Sequence, residues 1–290
     1  MKRIRVALVA AGLWLADAPA FAQRESWTRP TEPFHVIDNL YYVGSEGLAS
    51  YLVVTSAGHV LIDGGLSSSV PQIEASIAKL GFESSDIKIL LNSHAHFDHS
   101  GGLAELKRHT GASLAAMDGD VSALEGGFYL GSESVKALSA PPVAVDRVLH
   151  DGDTVELGGT VLTANLTPGH SRGCTSWGMT AREGGTAYRV LIFCSATVAA
   201  NRITPPLQYE GIVEDYRKTF SRTKTLTVDV PLAPHPELFD LLSKRDRNRR
   251  DSSRNAFIDP ERFAAFIAKA EADFATTLRE RTEAAVQPQR

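Results

Sequence analysis

The chain has 290 residues, of which 43% are hydrophobic and 22% are charged, a composition typical of a folded globular protein. That hydrophobic content excludes a disordered chain, and the lack of sequence repeats excludes collagen-like and coiled-coil architectures. The formal net charge is −4, from 30 basic and 34 acidic side chains, so no basic excess favours a nucleic-acid partner.

Residues 1–22 have the pattern of a cleaved secretory signal peptide. Basic side chains within residues 2–5 precede an apolar stretch over residues 6–16, and Ala20 and Ala22 complete an A-x-A cleavage site. The apolar stretch is too short to cross a bilayer, and no later stretch reaches eighteen apolar residues, so we expect no membrane anchor. The sequence therefore predicts an exported, periplasmic protein.

The first half of the chain alternates short strand-like runs with helical periodicity. Strands are predicted over residues 40–44, 50–54, 59–65, 87–92 and 113–117. Helices are predicted where apolar side chains recur at helical spacing, around Ile73, Ile77 and Leu80 and again around Leu103 and Leu106. Gly81 and Gly111 are expected just past the ends of these two helices.

The second half continues with predicted strands over residues 147–149, 154–157, 161–166, 174–180, 188–193 and 226–231. The run 174–180 should form a hairpin with 188–193 across a turn at residues 183–185. Asp259 as N-cap and Pro260 as first residue begin a long helix. One face of that helix carries Phe263, Ile267, Ala270, Phe274 and Leu278. The mixed-charge run 244–251 is expected to be a solvated loop or helix end.

No linker rich in proline, glycine or serine interrupts this pattern, so residues 23–290 are predicted to form one domain. Strands with helices at intervals in both halves indicate an α/β protein in which two sheets are faced by helices.

The most informative stretch is the HAHFDH cluster, which directly follows a predicted buried strand and contains His94, His96, Asp98 and His99. In extended backbone alternate side chains project to the same side, so His94 and His96 can be directed at one ion. Asp98 and His99 lie where the chain starts to turn and can be directed elsewhere. Imidazole and carboxylate ligands suit zinc, whose catalytic sites keep an open position. The alternative is a polar loop of hydrogen-bonded histidines, which four ligand side chains so closely spaced disfavour.

Two isolated histidines are further candidate ligands. His170 and His235 each lie in a proline-containing turn directly after a predicted strand, where functional residues gather on a rigid scaffold. Asp63 follows a buried run and precedes two glycines, and we expect it to hold a ligand loop by hydrogen bonds without touching metal. The histidines without such context are interpreted as surface or core residues: His35, His59, His109 and His150.

The H-x-H-x-D-H cluster, the LIDGG segment at residues 61–65 and the TPGH turn at residues 167–170 resemble the metallo-β-lactamase superfamily. The resemblance extends over essentially the whole chain after the signal segment. It implies a four-layer αββα sandwich with a metal site at one edge, between the sheets. It also implies two zinc ions, the first bound by His94, His96 and His170 and the second bound by Asp98, His99 and His235.

Within the superfamily, the discriminating position is the end of the predicted strand 188–193. Glyoxalase-II-like and lactonase-like members place a bridging aspartate there, whereas this chain has the sequence CSAT at residues 194–197. An intact His94, the Asp98–His99 pair and Ser195 together resemble the third subclass of class B β-lactamases. By strand alternation Cys194 should face away from Ser195, so it is interpreted as non-ligating.

This resemblance implies hydrolysis of the β-lactam amide bond of penicillins, cephalosporins and carbapenems, small-molecule substrates, and hence antibiotic resistance. Two zinc ions would supply a hydroxide at neutral pH. Asp98 would orient that hydroxide, and Ser195 and Thr197 would hydrogen-bond the substrate carboxylate. A monomer is expected. Two alternatives stay open: another hydrolase of this fold acting on lactones or thioesters, and a non-catalytic zinc-binding protein.

Three further features bear on the site. An exported protein permits a disulfide between Cys174 and Cys194, but a bridge across neighbouring strands is strained, so two buried free thiols are an equal alternative. The pair Ser171-Arg172 follows His170, where many relatives have Thr-Pro, and Arg172 places a cation close to a ligand. The loop at residues 127–131 offers an aromatic surface beside the site or simply packs.

Overall fold

The computed structural model describes residues 25–286, so the predicted signal peptide lies outside the described residues. A helical turn at residues 25–28 precedes the first strand. Within residues 25–286 the model contains no helix with the length and apolar character needed to cross a membrane.

The first sheet has seven strands in chain order: β1 (Phe34–Ile37), β2 (Leu40–Tyr42), β3 (Tyr51–Thr55), β4 (Gly58–Ile62), β5 (Ile87–Leu91), β6 (Ser113–Met117) and β7 (Arg147–Leu149). Strands β1 to β4 pair antiparallel, whereas β4 to β7 pair parallel. The carboxyl ends of the parallel strands therefore lie at one edge of the sheet, where binding sites of α/β proteins usually form.

The second sheet has five strands, also adjacent in chain order: β8 (Thr154–Leu157), β9 (Thr160–Leu166), β10 (Thr175–Glu183), β11 (Thr186–Ile192) and β12 (Val230–Leu232). All pairs are antiparallel except β11 with β12, and β10 and β11 form the expected hairpin. The prediction of a last strand over residues 226–231 was wrong in its start. The amide groups of residues 224–226 bond back to the preceding helix, so only Val230–Leu232 pair with β11.

Besides the helical turn at residues 25–28, seven helices surround the sheets within the described residues: α1 (Val70–Lys79), α2 (Phe97–Ser100), α3 (Leu103–Thr110), α4 (Asp118–Gly126), α5 (Ile212–Thr223), α6 (Leu241–Arg250) and α7 (Pro260–Val286). Gly81 and Gly111 follow α1 and α3 with φ of +83° and +68°, left-handed backbone that glycine adopts readily and that confirms the predicted helix ends. Helix α7 begins at Pro260, as predicted.

Side-chain alternation along the strands separates two apolar clusters. In β3, Tyr51 and Val53 point into the core between the sheets, whereas Leu52 packs with the apolar faces of α1, α3 and α4. Helices α5 and α7 cover the second sheet. Helix α7 contributes Phe263, Ile267 and Phe274 to the core. The predicted four-layer αββα sandwich is thereby confirmed.

The sequence analysis predicted neither α4 nor α5. Helix α4 has only a weak apolar stripe, and its packing against the first sheet decides its structure. Helix α5 buries Ile212, Tyr216 and Phe220 at helical spacing, a local signal that the sequence analysis missed.

Of the two alternatives for the charged run at residues 244–251, a solvated loop or a helix end, the structure shows the second, since residues 244–250 form the C-terminal part of α6. One member of the run is not solvated: Lys244 is buried and forms an ion pair of 2.8 Å with Asp259 at the start of α7, whereas Arg247, Arg249 and Arg250 face solvent.

Candidate metal centre

Six predicted ligands come from three loops at the carboxyl ends of strands. His94, His96, Asp98 and His99 follow β5, His170 follows β9 and His235 follows β12. The backbone is extended at His96, with φ −78° and ψ 146°, and α2 starts at the next residue. This change of direction explains why the first two histidines and the following Asp98–His99 pair point to different positions.

The six side chains form two groups. One ligand atom each from His94, His96 and His170 lies within 4.8 Å of the others, and the same holds for Asp98, His99 and His235. The two groups are adjacent, since the rings of His94 and His99 have centroids 4.4 Å apart. The structure thus brings together all six residues that the sequence nominated.

Hydrogen bonds at the far side of three rings leave Nε2 free to face the centre. The Nδ1 atoms of His94, His170 and His235 lie 3.0 Å from Ser93 Oγ, 2.7 Å from the Thr197 carbonyl and 3.2 Å from the Gly47 carbonyl. His94 Nε2 is buried and has no hydrogen-bond partner. An orphaned buried nitrogen is costly in a native protein, and a metal ion would satisfy it. Five imidazoles and one carboxylate fit zinc.

Burial sets the protonation states of the first group. Burial, reinforced by the neighbouring imidazoles, holds the pKa of both His94 and His96 well below the ordinary value, and it lowers the pKa of His170 to about 4. All three rings are therefore neutral at pH 7. A neutral imidazole is the form that binds metal.

The second group is an ionic cluster. Burial alone would raise the pKa of Asp98, but the nearby His99 and His235 outweigh it and leave that pKa well below the usual range. Conversely, burial would lower the pKa of His99, but the charges of Asp98 and Asp63 raise it overall. Asp98 Oδ2 lies 3.4 Å from His99 Nε2 and 3.5 Å from His235 Nε2. Asp98 is therefore an ionised carboxylate in contact with both histidines of its group.

The metal-free chain is expected to lose stability as the pH falls from about 6.5 toward 4. His170 takes up a proton near pH 6.5 when unfolded but only near pH 4 when folded. A depressed folded pKa means that the stabilisation is present above the unfolded pKa and is lost as the pH falls. For His170 the loss amounts to about 3 kcal/mol over this window. Urea unfolding of the chelator-treated chain at pH 7, 6 and 5 measures it. If His170→Gln leaves the pH dependence of the free energy of unfolding unchanged, the loss of stability does not come from protonation of His170.

Asp63 holds the start of the ligand loop, as predicted. Its backbone has a left-handed φ of 64°. Its Oδ1 accepts hydrogen bonds from Asn92 Nδ2 at 3.0 Å and from the Ser93 amide at 2.6 Å, and its Oδ2 accepts one from Ser93 Oγ at 2.7 Å. The carboxylate therefore fixes the two residues that precede His94.

Asp120 is a buried carboxylate that the sequence reading missed. Its oxygens accept hydrogen bonds from the Ala95 amide at 2.9 Å, the Ser171 hydroxyl at 2.7 Å and the Gly173 amide at 2.8 Å. It thereby ties the His94–His96 segment to the His170 turn. A Cβ on Gly173 would lie 2.5 Å from the Asp120 amide nitrogen, so this close approach of two backbones requires glycine. The one local signal is the neighbouring Gly119, where a Cβ would lie 2.8 Å from the backbone of Arg172, so this glycine also marks the close approach of the two segments.

A second network, centred on Asn201, also went unpredicted. Tyr129 stacks on the ring of His96 at 4.1 Å between centroids and donates a hydrogen bond to Asn201 Oδ1 at 2.8 Å. Asn201 Nδ2 donates to the His170 carbonyl at 2.8 Å. Tyr216 donates to the Thr197 carbonyl, the same oxygen that His170 Nδ1 contacts. The loop at residues 127–131 therefore supports the first group rather than only lining the site.

Ser195 and Thr197, the predicted substrate contacts, lie beside His170. Their hydroxyl oxygens are 3.2 Å apart, and Thr197 Oγ1 is 3.3 Å from His170 Nδ1. Ser195 is 4% exposed, whereas Thr197 is exposed. Contact with a substrate stays a prediction for both. Arg172, the cation beside His170, is exposed and lies over the ring of Tyr209, 5.0 Å from its centroid.

Cys174 and Cys194 form a disulfide, which decides between the two alternatives left open by the sequence. Cys174 precedes β10 and Cys194 follows β11, so the bridge joins residues outside the regular ladder and avoids the strained cross-strand arrangement. Cys194 Sγ lies 3.7 Å from His94 Nδ1. Its sulfur is bonded to Cys174, in agreement with its interpretation as non-ligating.

The remaining histidines lie away from the centre. His59 is a buried residue of β4, and His35, His109 and His150 are exposed or half-buried on the surface. Trp27, from the turn at residues 25–28, packs on the outer side of the second group, with ring centroids 5.8 Å from His235 and 6.2 Å from Phe97.

Comparison with solved structures covers nearly the whole chain. The subclass B3 metallo-β-lactamase BJP-1 of Bradyrhizobium japonicum is 47% identical, with a TM-score of 0.88, over 90% of this chain and 99% of that one. FEZ-1, a metallo-β-lactamase from Legionella gormanii, is 42% identical, with a TM-score of 0.84, over 88% of this chain and 98% of that one.

Curated sequences match over shorter segments. The acyl-coenzyme A thioesterase MBLAC2 of Gallus gallus is 36% identical over 94 residues, 28% of this chain and 33% of that protein. The chain thus spans about a third of the length of the first curated relatives that it matches. Residues 46–181 match the family model described as the metallo-beta-lactamase superfamily. With 47% identity to BJP-1 over almost the full length of both chains, this chain belongs to the metallo-β-lactamase superfamily.

Proposed function

We propose that the protein hydrolyses the β-lactam amide bond of penicillins, cephalosporins and carbapenems, with two zinc ions as cofactor. One observation carries the proposal: two complete three-residue groups lie side by side, with Ser195 rather than a carboxylate at the end of β11. The similarity to the subclass B3 enzyme BJP-1 and to FEZ-1 supports it.

Each side chain of the centre has a role in this reaction. The neutral His94, His96 and His170 would hold one zinc ion, and Asp98, His99 and His235 the other. When bound, zinc supplies Lewis acidity and makes water nucleophilic at neutral pH. The water oxygen bonds to the lactam carbonyl carbon, the C–N bond breaks and the nitrogen takes a proton.

The remaining roles fall to the chain's own polar groups. The ionised Asp98 carboxylate would accept a hydrogen bond from the attacking water and so orient it toward the carbonyl carbon. Ser195 Oγ and Thr197 Oγ1, 3.2 Å apart, would donate hydrogen bonds to the substrate carboxylate. Asp63 and Asp120 hold the loop after β5 that leads to Asp98, and Asp120 also holds the turn of His170.

A thioester hydrolase is the second candidate, because the curated relative MBLAC2 is named an acyl-coenzyme A thioesterase. That match covers 28% of this chain, against 90% for BJP-1. We therefore place β-lactam hydrolysis first and thioester hydrolysis second.

Activity assays of the zinc-loaded chain test the proposal. The substrates are nitrocefin, meropenem and an acyl-coenzyme A thioester, and each is assayed before and after addition of EDTA. We expect turnover of both β-lactams, its loss with EDTA and its return on adding zinc. His96→Ala should abolish the activity, whereas His150→Ala, a matched change at an exposed histidine, should retain it. Thioester hydrolysis without β-lactam turnover would overturn the first candidate in favour of the second.

Export and oligomeric state belong to the same proposal. We propose a periplasmic monomer that loses residues 1–22 and confers antibiotic resistance. Expression in a susceptible bacterial host should place the protein in the periplasmic fraction with a new N-terminus at residue 23 and should raise the inhibitory concentration of meropenem. Retention of residues 1–22, or a dimer on sedimentation, would contradict it.

A further inference from the structure

An apolar groove of about 320 Å³ lies beside the metal centre, between the loop after β11 and helix α7. We refer to it as the α7 groove. Its apolar lining is formed by Ala196, Val198, Leu238, Phe266, Ala270 and Phe274. Val198, Leu238, Phe266 and Ala270 are only partly buried, so apolar surface in the groove stays in contact with water.

Two walls of the α7 groove are continuous with the metal centre. Thr197, which also lines it, has its hydroxyl 3.3 Å from His170 Nδ1 and 3.2 Å from Ser195 Oγ. Leu238, another lining residue, belongs to the short helical turn that directly follows His235, and its amide donates a hydrogen bond to the His235 carbonyl. A substrate held by its carboxylate at Ser195 and Thr197 therefore has the groove as its immediate neighbour.

The polarity of the groove selects the kind of group that it can hold. Its charged side chains are Lys269 and Asp273, which pair with each other at the rim and leave no net charge. Small-molecule sites are typically concave and apolar with a few polar groups. A neutral apolar group would bury the exposed carbon atoms of Val198, Leu238 and Ala270, and removing apolar surface from water is favourable.

We propose that the α7 groove binds a neutral alkyl or aryl substituent of the substrate, attached next to the carboxylate that Ser195 and Thr197 would hold. This inference rests on the proposed β-lactam hydrolysis and adds a preference for substrates with a bulky apolar group at that position. Ala270 would then determine specificity, because its small side chain leaves the groove open.

A larger side chain at position 270 of α7, which would fill the groove, tests the inference. Two cephalosporins with the same acylamino side chain, one with a 3-methyl and one with a 3-styryl group, are compared by kcat and KM. In Ala270→Phe the ratio of kcat/KM for the styryl over the methyl compound should fall about tenfold, chiefly through KM. Ala268→Phe, the same change at an exposed position of α7 outside the groove, should leave the ratio unaltered.

A binding measurement separates this inference from the proposed reaction. Fluorescence titration with the neutral dye N-phenyl-1-naphthylamine, on the metal-free and the zinc-loaded chain, should show about tenfold weaker binding in Ala270→Phe than in Ala268→Phe. If neither cephalosporin is hydrolysed while dye binding depends on residue 270, the result supports an apolar binding site in the α7 groove and contradicts the proposed β-lactam hydrolysis. Equal effects of Ala270→Phe on both cephalosporins, or dye binding that it does not change, would overturn the groove. Ala270→Leu replaces it if the phenylalanine variant does not fold.

Discussion

Replacing Asp98 with asparagine is expected to lower kcat/KM for nitrocefin by about 10³-fold. The Asp98 side chain is 10% exposed, and its carboxylate is the one acidic group in the two ligand groups. An asparagine keeps the shape but removes the negative charge that lies against His99 and His235 and that would hold the second zinc ion. Because the loss concerns charge rather than packing, the variant should fold.

Steady-state kinetics and metal analysis of the zinc-loaded Asp98→Asn variant check this expectation. We expect about one zinc ion per chain instead of two, since the ligands of the first group are untouched. Asp118→Asn is the matched control, because Asp118 is an exposed carboxylate in the first turn of α4. An Asp98→Asn enzyme with full activity and two zinc ions would rule out the assigned role.

Asp120→Ala is expected to lower the free energy of unfolding of the metal-free chain by about 3–5 kcal/mol. Asp120 is 3% exposed, and its carboxylate accepts hydrogen bonds from the Ala95 and Gly173 amides and from the Ser171 hydroxyl. Its removal leaves these donors buried without an acceptor, and each such group costs about 1–3 kcal/mol. Asp120→Asn keeps the shape and part of the acceptor capacity, so its effect should be smaller.

Urea unfolding at pH 7 measures the loss, with Asp118→Ala as control on the same helix. The second readout is zinc affinity, which should weaken by about 10–100-fold because Asp120 holds the two loops that carry His94, His96 and His170. If the free energy of unfolding of Asp120→Ala lies within about 0.5 kcal/mol of that of the unaltered chain, the three hydrogen bonds contribute little to stability.

Local patterns of the sequence were sufficient for features that depend on a few consecutive residues. The spacing of the HAHFDH cluster predicted two differently directed ligand groups, because strand alternation and the helical turn after His96 are local geometry. The glycines after α1 and α3 and the Asp259–Pro260 start of α7 were predicted for the same reason. Where local signals were weak, as in α4 and the start of β12, the predictions failed or were absent, whereas the helical spacing of α5 was present in the sequence and was overlooked.

Family resemblance, rather than any local pattern, assigned His170 and His235 to the two groups, and strand order brings them there. His235 lies 136 positions from His99 in the chain, yet their Nε2 atoms are 3.2 Å apart. Asp120 and Asn201 bond to partners 25 to 72 residues away, and such partners leave no periodic trace in the sequence. The sequence by itself determined which side chains can bind metal and where the elements with clear local signals begin. The tertiary structure decided which buried polar groups hold those side chains in place, because that depends on which loops the two sheets bring together.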